Sequence, residues 1–261
     1  MNLVNANSNN SFSLNGKTFL ITGGTRGIGE AISLRFARAG AAKVVANYLR
    51  NEQRAGRLKT VAAEEGLEIV LCRADLSTDR GMEQLAVCLD EHCPRLSGLV
   101  HCAATGTHRP LEDLTERHFD WTFNLNVRAF FKLTKLLLGR FEVGSSIVAV
   151  SSWGAQRALP DYSLVGSSKA ALESLSRHLA AELAPRGIRV NILTAGAVQT
   201  DAWKAIPDGT ARLAATAERT PLGRLVTAEE IAAGAQFLCS DAASGMVGQT
   251  LVIDGGAGIV A

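Results

Sequence analysis

Short stretches that are apolar on both sides alternate along this chain with amphipathic stretches of helical period. "KTFLITGG" (17–24) runs into a glycine turn and is followed by "GIGEAISLRFARAG" (27–40), which Gly40 closes. "AKVVANY" (42–48), the helical "NEQRAGRLKTVAAEEG" (51–66) and "LEIVLCRADL" (67–76) continue the pattern. "SGLVHCAA" (97–104), a long helical stretch at about 116–141, "SSIVAVSS" (145–152) and a helical stretch at about 161–184 come next. "GIRVNILTAG" (187–196) and "GQTLVIDGG" (248–256) supply a sixth and a seventh strand. Strands without a polar face must be covered on both sides, and helical crossovers make neighbouring strands parallel. The pattern therefore predicts one doubly wound α/β domain over 14–261, with no linker or repeat to divide it. The Asn- and Ser-rich residues 1–13 read as a flexible tail.

Composition removes several classes of function. The net charge is +2 and charged residues make up 20% of the chain, too balanced for nucleic acid or an anionic membrane as the main partner. The five cysteines, Cys72, Cys88, Cys93, Cys102 and Cys239, contain no C-x-x-C pair, which argues for free thiols in a reducing compartment and against a metal centre. The N-terminus carries no basic segment ahead of an apolar run, and no apolar run approaches the roughly 18 residues of a membrane helix. A cytoplasmic location is the expectation.

"TGGTRGIG" (22–29) sits on the first strand–helix junction, with Gly23, Gly27 and Gly29 spaced G-x-x-x-G-x-G. Glycines there permit a tight turn and let backbone N–H groups approach a pyrophosphate at the helix N-terminus. Charge selects the nucleotide. An adenosine 2′-hydroxyl calls for a carboxylate at the end of the second strand, and "VVANYLRN" offers Asn47 and Arg50 instead. With Arg26 in the turn, two guanidinium groups suit a 2′-phosphate, so NADPH is the expected cofactor. Asp75 in "ADL" (74–76) is placed to accept from an adenine amino group or to cap the next helix, a role Ser77 could also fill.

Together, "TGGTRGIG", "ADL", "VHCAA", "NLNVRA", "VAVSS", the Lys169 helix and "GQTLVIDGG" resemble the short-chain dehydrogenase/reductase family, over about 16–256. The resemblance implies a Rossmann-type domain with a seven-stranded parallel sheet, a nicotinamide cofactor and a homo-oligomer, a tetramer or a dimer. Thr25, Ile28, Leu76, Cys102, Ala103, Ala104, Ala195 and Gly196 join the cofactor-binding set on the same grounds. Val198 and Thr200 in "TAGAVQTD" match the segment that touches the nicotinamide carboxamide. Asn126 matches the asparagine that holds a water beside the lysine, Ser152 the substrate-polarising serine, and Lys169 the lysine on the nicotinamide ribose. "HCAA" (101–104) departs from the usual Asn-Asn-Ala-Gly, and His101 there reads as structural.

The family's usual tyrosine, four residues before the lysine, is Val165 here. Tyr162 lies seven residues before Lys169, close to a whole number of helical turns. A continuous helix would keep it on the lysine's side, about 4.5 Å further along the axis than the usual acid. Such a shift suits conjugate reduction, where hydride enters at a β-carbon and charge develops on a carbonyl oxygen several bonds away. Tyr-x6-Lys also marks the family's enoyl-thioester reductases, and "HRPLEDLTERHFDWTFNLNVRAF" with "YSLVGSSKAALESLSRHLAAEL" resembles their NADPH-dependent acyl-carrier-protein group of type III. That resemblance implies an acyl thioester substrate on acyl-carrier protein or CoA, in fatty-acid or polyketide-type biosynthesis. Tyr162 then stabilises the enolate, and either Tyr162 or water supplies the α-carbon proton. Two other readings stay open: a ketoreductase using Ser152 and Tyr162, and an NADPH-binding protein without turnover. Trp153, Leu164 and Trp203 line an acyl site or pack in the core, and 201–224 falls where the family places a substrate lid broken at Pro207, Asp208 and Gly209.

Overall fold

The structure, a computed structural model, describes residues 11–201, 203 and 208–260. Seven strands form one parallel sheet in the order β3-β2-β1-β4-β5-β6-β7. They are β1 (Thr18–Thr22), β2 (Lys43–Tyr48), β3 (Ile69–Arg73), β4 (Leu96–His101), β5 (Phe141–Ser152), β6 (Arg189–Ala195) and β7 (Thr250–Ile253). The helices are α1 (Gly27–Arg38), α2 (Glu52–Glu64), α3 (Asp79–His92), α4 (Glu116–Phe123), α5 (Ala129–Leu137), α6 (Ser163–Leu183), α7 (Gly209–Arg219) and α8 (Ala228–Cys239).

Two apolar cores result, one on each face of the sheet. Leu85 and Leu89 of α3, Phe130, Leu133 and Leu137 of α5 and Leu172 of α6 fill one. Ile32 and Phe36 of α1 and Ile231, Ala235 and Leu238 of α8 fill the other. On that second face Phe19 of β1 meets Phe36 edge-on at 4.8 Å between centroids. Gly98 of β4 makes room for the ring, since a Cβ there would lie 2.9 Å from Phe19 Cε1.

The chain winds outward from β1 to β3, then returns to place β4 on the other side of β1. The carboxyl ends of β1 and β4 therefore flank a topological switch point, where a doubly wound sheet opens its ligand crevice. The glycine turn follows β1 and residues 102–106 follow β4, so both feed that crevice.

Two expectations need adjustment. The long helix expected at about 116–141 is α4 and α5, joined by a π-helical turn over Asn124–Arg128 that inserts one extra residue beside Asn126. Of the expected tail 1–13, residues 1–10 lie outside the described residues. Ser11 and Phe12 are held to the body, where Ser11 O accepts from Ala242 N at 3.0 Å and Phe12 O from Gln236 Nε2 at 2.8 Å.

Phe19→Ala removes a fully buried ring from the β1–α1 contact. Chemical denaturation is expected to show a loss of about 3–5 kcal/mol in unfolding free energy.

Candidate active site

Thr22, the last residue of β1, organises the crevice. Its hydroxyl oxygen accepts from Cys102 N at 3.1 Å and from Ala103 N at 3.0 Å. It also pairs with His101 Nδ1 at 3.1 Å. With two donors already on the oxygen, the hydroxyl hydrogen goes to Nδ1, so His101 carries its proton on Nε2. Burial, reinforced by the nearby Lys169 cation, pushes the His101 pKa down to about 3, against the opposing effect of the Leu125 and Asn126 backbone. The ring is neutral and structural, as the sequence suggested, and packs on Phe130.

The glycine turn has the geometry of a cradle. Gly23 and Gly27 adopt φ of 64° and 52°, the left-handed region that glycine enters at little cost. A Cβ on Gly29 would lie 2.1 Å from Gly23 O, and one on Gly23 would lie 3.1 Å from Ala103 Cα. Side chains at either position would close the turn on itself or on the strand beside it. The opening of α1 behind this turn fits a dinucleotide pyrophosphate. Thr25, buried, and Ile28 lie within the turn, while Ala195 ends β6 and Ala104, Gly196, Val198 and Thr200 follow β4 and β6. Thr200 approaches Gly27 from the opposite wall, its Cγ2 lying 3.3 Å from where a Gly27 Cβ would sit.

Two of the expected cofactor contacts also bond within the protein. Asn47 is buried and donates to Cys72 O at 3.2 Å and to Ala74 O at 3.1 Å, so its amide braces β2 against β3. The Asp75 Oδ1 accepts from the Ser77 backbone N at 3.0 Å and its hydroxyl at 2.6 Å, the turn-forming alternative; Leu76 beside it is core. Arg26 and Arg50 are both exposed, and among the described residues neither has an ion-pair partner.

Tyr162 does not continue the Lys169 helix. It is the N-cap of α6, with φ −119° and ψ 9°, because Asp161 before it takes a left-handed φ of 59°. Asp161 is held there by Arg212 of α7 at 2.8 Å and by Arg109 N, which donates to its carbonyl at 3.2 Å. This turn sends the phenol to Ser152 at the end of β5, with 3.1 Å between the two oxygens. His108 meets the tyrosine ring edge-on at 5.1 Å. Burial raises the Tyr162 pKa, partly offset by the Ser152 hydrogen bond, so at neutral pH the phenol keeps its proton and can donate. Val165, where the usual tyrosine would stand, is 7% exposed and faces Gly106, at which a Cβ would lie 2.2 Å from Val165 Cγ2. That position is packed shut and offers no second acid.

Lys169 is buried and its Nζ donates to Val150 O at 2.7 Å. Burial lowers its pKa to about 8, which Cys102 and Glu173 resist, and leaves it mostly cationic at neutral pH. Cys102 is itself a thiol there, its pKa pushed up to about 11 by burial. Asn126 makes three bonds of its own: its amide donates to Thr105 O and Ser168 Oγ, each at 2.9 Å, and its Oδ1 accepts from Thr105 N at 2.9 Å. The side chain thus ties the loop after β4 to α6, one residue before Lys169. Trp153 Nε1 donates to Asp254 at 3.0 Å and Trp203 Nε1 to Val198 O at 3.0 Å, so each indole is anchored at the rim; Leu164 is half-buried. Of the expected lid, α7 forms the second half, while Pro207 lies outside the described residues.

Sequence reasoning missed Thr22, Asp161, His108 and Arg212. Only Asp161 left a local signal, a Pro-Asp pair ahead of a helix.

The family model described as "Enoyl-(Acyl carrier protein) reductase" matches residues 23–258. A 1-cyclohexenylcarbonyl-CoA reductase of Streptomyces collinus is 36% identical over 93% of this chain and 87% of its own length. The NADH enoyl-[acyl-carrier-protein] reductase FabI of Escherichia coli K12 is 31% identical over 95% of this chain and 96% of its own. A short-chain dehydrogenase from Burkholderia cenocepacia J2315, solved in complex with NADP, superposes with a TM-score of 0.87 at 33% identity, covering 94% of this chain and 98% of that one. The chain belongs to the short-chain dehydrogenase/reductase family, in the group its matching family model describes as enoyl-(acyl carrier protein) reductases. It is an oxidoreductase of that family. No helix among the described residues is long and apolar enough to cross a membrane.

A Cβ on Gly154 would lie 2.2 Å from Tyr162 Cε1. Gly154→Ala is therefore expected to push the phenol off Ser152 and lower kcat at least about tenfold. Cofactor affinity, read by fluorescence titration, should stay within about twofold, since the glycine turn lies elsewhere.

Proposed function

We propose that this protein reduces the carbon–carbon double bond of a 2-enoyl thioester, carried on CoA or on acyl-carrier protein, with NADPH as the reductant. The observation that carries the reading is the relocated acid. Val165 is sealed against the loop at Gly106, and the phenol of Tyr162 reaches the site from the N-cap of α6. The names of the relatives, enoyl-thioester reductases of CoA and carrier-protein type, support it.

A bound nicotinamide would supply the hydride that the β-carbon takes, and Tyr162 or water the proton that then goes to the α-carbon. Tyr162, protonated and aimed inward, donates a hydrogen bond to the thioester oxygen as enolate charge develops there. Ser152 fixes the phenol's direction through their shared hydrogen bond. Lys169 holds the ribose hydroxyls and adds positive charge under the site. Asn126 fixes the loop after β4 and so the floor on which Lys169 rests. The Arg212–Asp161 pair joins α7 to the turn that presents Tyr162, so closure of that segment over an acyl chain would exclude water from the enolate. The exposed Phe119, Trp121 and Phe131 on α4 and α5 favour a homo-oligomer assembled through those helices.

The Ser152–Tyr162 bond also fits a ketoreductase, in which the same pair would polarise a ketone. Tyr162→Phe removes one donor and little volume. With an enoyl thioester, kcat should fall roughly 10²–10³-fold while NADPH affinity holds; parental turnover in that variant would remove Tyr162 from the mechanism.

For the cofactor, Arg26 and Arg50 stand exposed near the second strand's end, where the nearby Glu52 carboxylate is paired with Arg73. A charge-assisted contact to a 2′-phosphate contributes about 1.5–3 kcal/mol, so kcat/KM should favour NADPH over NADH by about tenfold to a few hundredfold. Equal values for the two would contradict the assignment, and Arg50→Ala should narrow the gap.

A further inference from the structure

Glu173 is an acidic side chain that the site as described does not use. It lies one turn beyond Lys169 on α6 and is 3% exposed. Three groups from three other segments donate to it. The Ser151 hydroxyl of β5 reaches Oε1 at 2.7 Å, the Thr194 hydroxyl of β6 reaches the same oxygen at 3.4 Å, and Gln156 Nε2, after β5, reaches Oε2 at 3.3 Å. Both carboxylate oxygens are thereby held in place by side chains at the ends of the neighbouring strands.

Its neighbours place it under the active site. Ser151 lies between Val150, whose carbonyl takes the Lys169 proton bond, and Ser152, which holds Tyr162. Thr194 precedes Ala195 and Gly196, where β6 enters the cofactor crevice. Gln156 belongs to the segment that leads to Asp161 and Tyr162.

We infer that Glu173 is a positioning residue of this enzyme: the counter-charge that keeps buried Lys169 protonated, and the brace that fixes the ends of β5 and β6 around it. A lone buried ammonium is costly, and an opposite charge one helical turn away offsets that cost. The other titratable groups facing Lys169 cannot serve. His101, at the end of β4, is neutral, and Cys102, just beyond it, remains a thiol throughout the range in which Lys169 titrates. Tyr162 stays protonated there as well. Glu173 is the remaining source of negative charge among the described groups that act on the lysine.

The inference rests on Lys169 belonging to the site but not on the identity of the acyl substrate, and its first readout needs neither substrate nor cofactor. Lysine labelled with ¹³C at Cε lets the Lys169 titration be followed by NMR in the cofactor-free protein. In Glu173→Gln, which preserves shape and removes charge, the Lys169 midpoint should fall by about one pH unit or more. The alkaline limb of kcat with NADPH should move down by the same amount. Glu173→Asp, which keeps the charge at a shorter reach, should hold the midpoint near the parental value even where the melting temperature drops. A folded Glu173→Gln protein whose Lys169 titrates as in the parent would overturn the inference. If Glu173→Gln does not fold, the Asp variant decides: a retained midpoint supports the counter-charge, and a midpoint that falls together with the melting temperature overturns it.

Discussion

The hydroxyl of Thr22 joins the two halves of the sheet at the point where the site is built. By accepting the N–H groups of Cys102 and Ala103 and donating to His101, it fixes the end of β1 to the segment leaving β4. The glycine turn can then lie flat against Ala103, and the crevice opens at a defined width. The buried, neutral His101 completes the splice without placing a cation beside Lys169. Each later feature, from the Asn126 brace to the depth of Lys169, is measured from this junction.

Against that fixed floor, the phenol has been moved without loss of its partners. A left-handed Asp161 takes Tyr162 out of the helical line, and Gly154 and Gly166 leave the space its ring fills. Ser152 receives the phenol, and Val165 fills the vacated place with a methyl-lined wall. A donor delivered from the helix cap suits charge that appears on a thioester oxygen away from the carbon receiving hydride. The left-handed residue is a local cost, and its anchors come from α7 and from the loop after β4.

The sheet, its helices and the glycine turn were legible because hydrophobic period and glycine spacing are local properties of the chain. So were the positions of Ser152 at a strand's end and Lys169 on a helix, and the absence of a tyrosine at position 165. The sequence took Tyr162 as part of a continuous helix, whereas it is the N-cap, and nothing local announced that Asp161 would be left-handed. The internal bonds of Asn47 and Asp75 were hidden for a related reason: what a polar residue at a strand's end also bonds to depends on the neighbouring strand and turn. Thr22 and Glu173 gave no signal, since their bonds span 79 or more residues in one case and 17 or more in the other.

The central claim is that the relocated phenol serves conjugate reduction. Its most direct test is NADPH oxidation by the purified protein with crotonyl- and longer 2-enoyl thioesters beside β-ketoacyl thioesters of matched chain length and carrier. The account predicts turnover of the enoyl series, with saturated thioesters identified by mass spectrometry and kcat/KM for the ketoacyl series at least about a hundredfold lower, a difference of roughly 2.7 kcal/mol in barrier. Preferential reduction of the ketoacyl thioesters to hydroxyacyl products would contradict it.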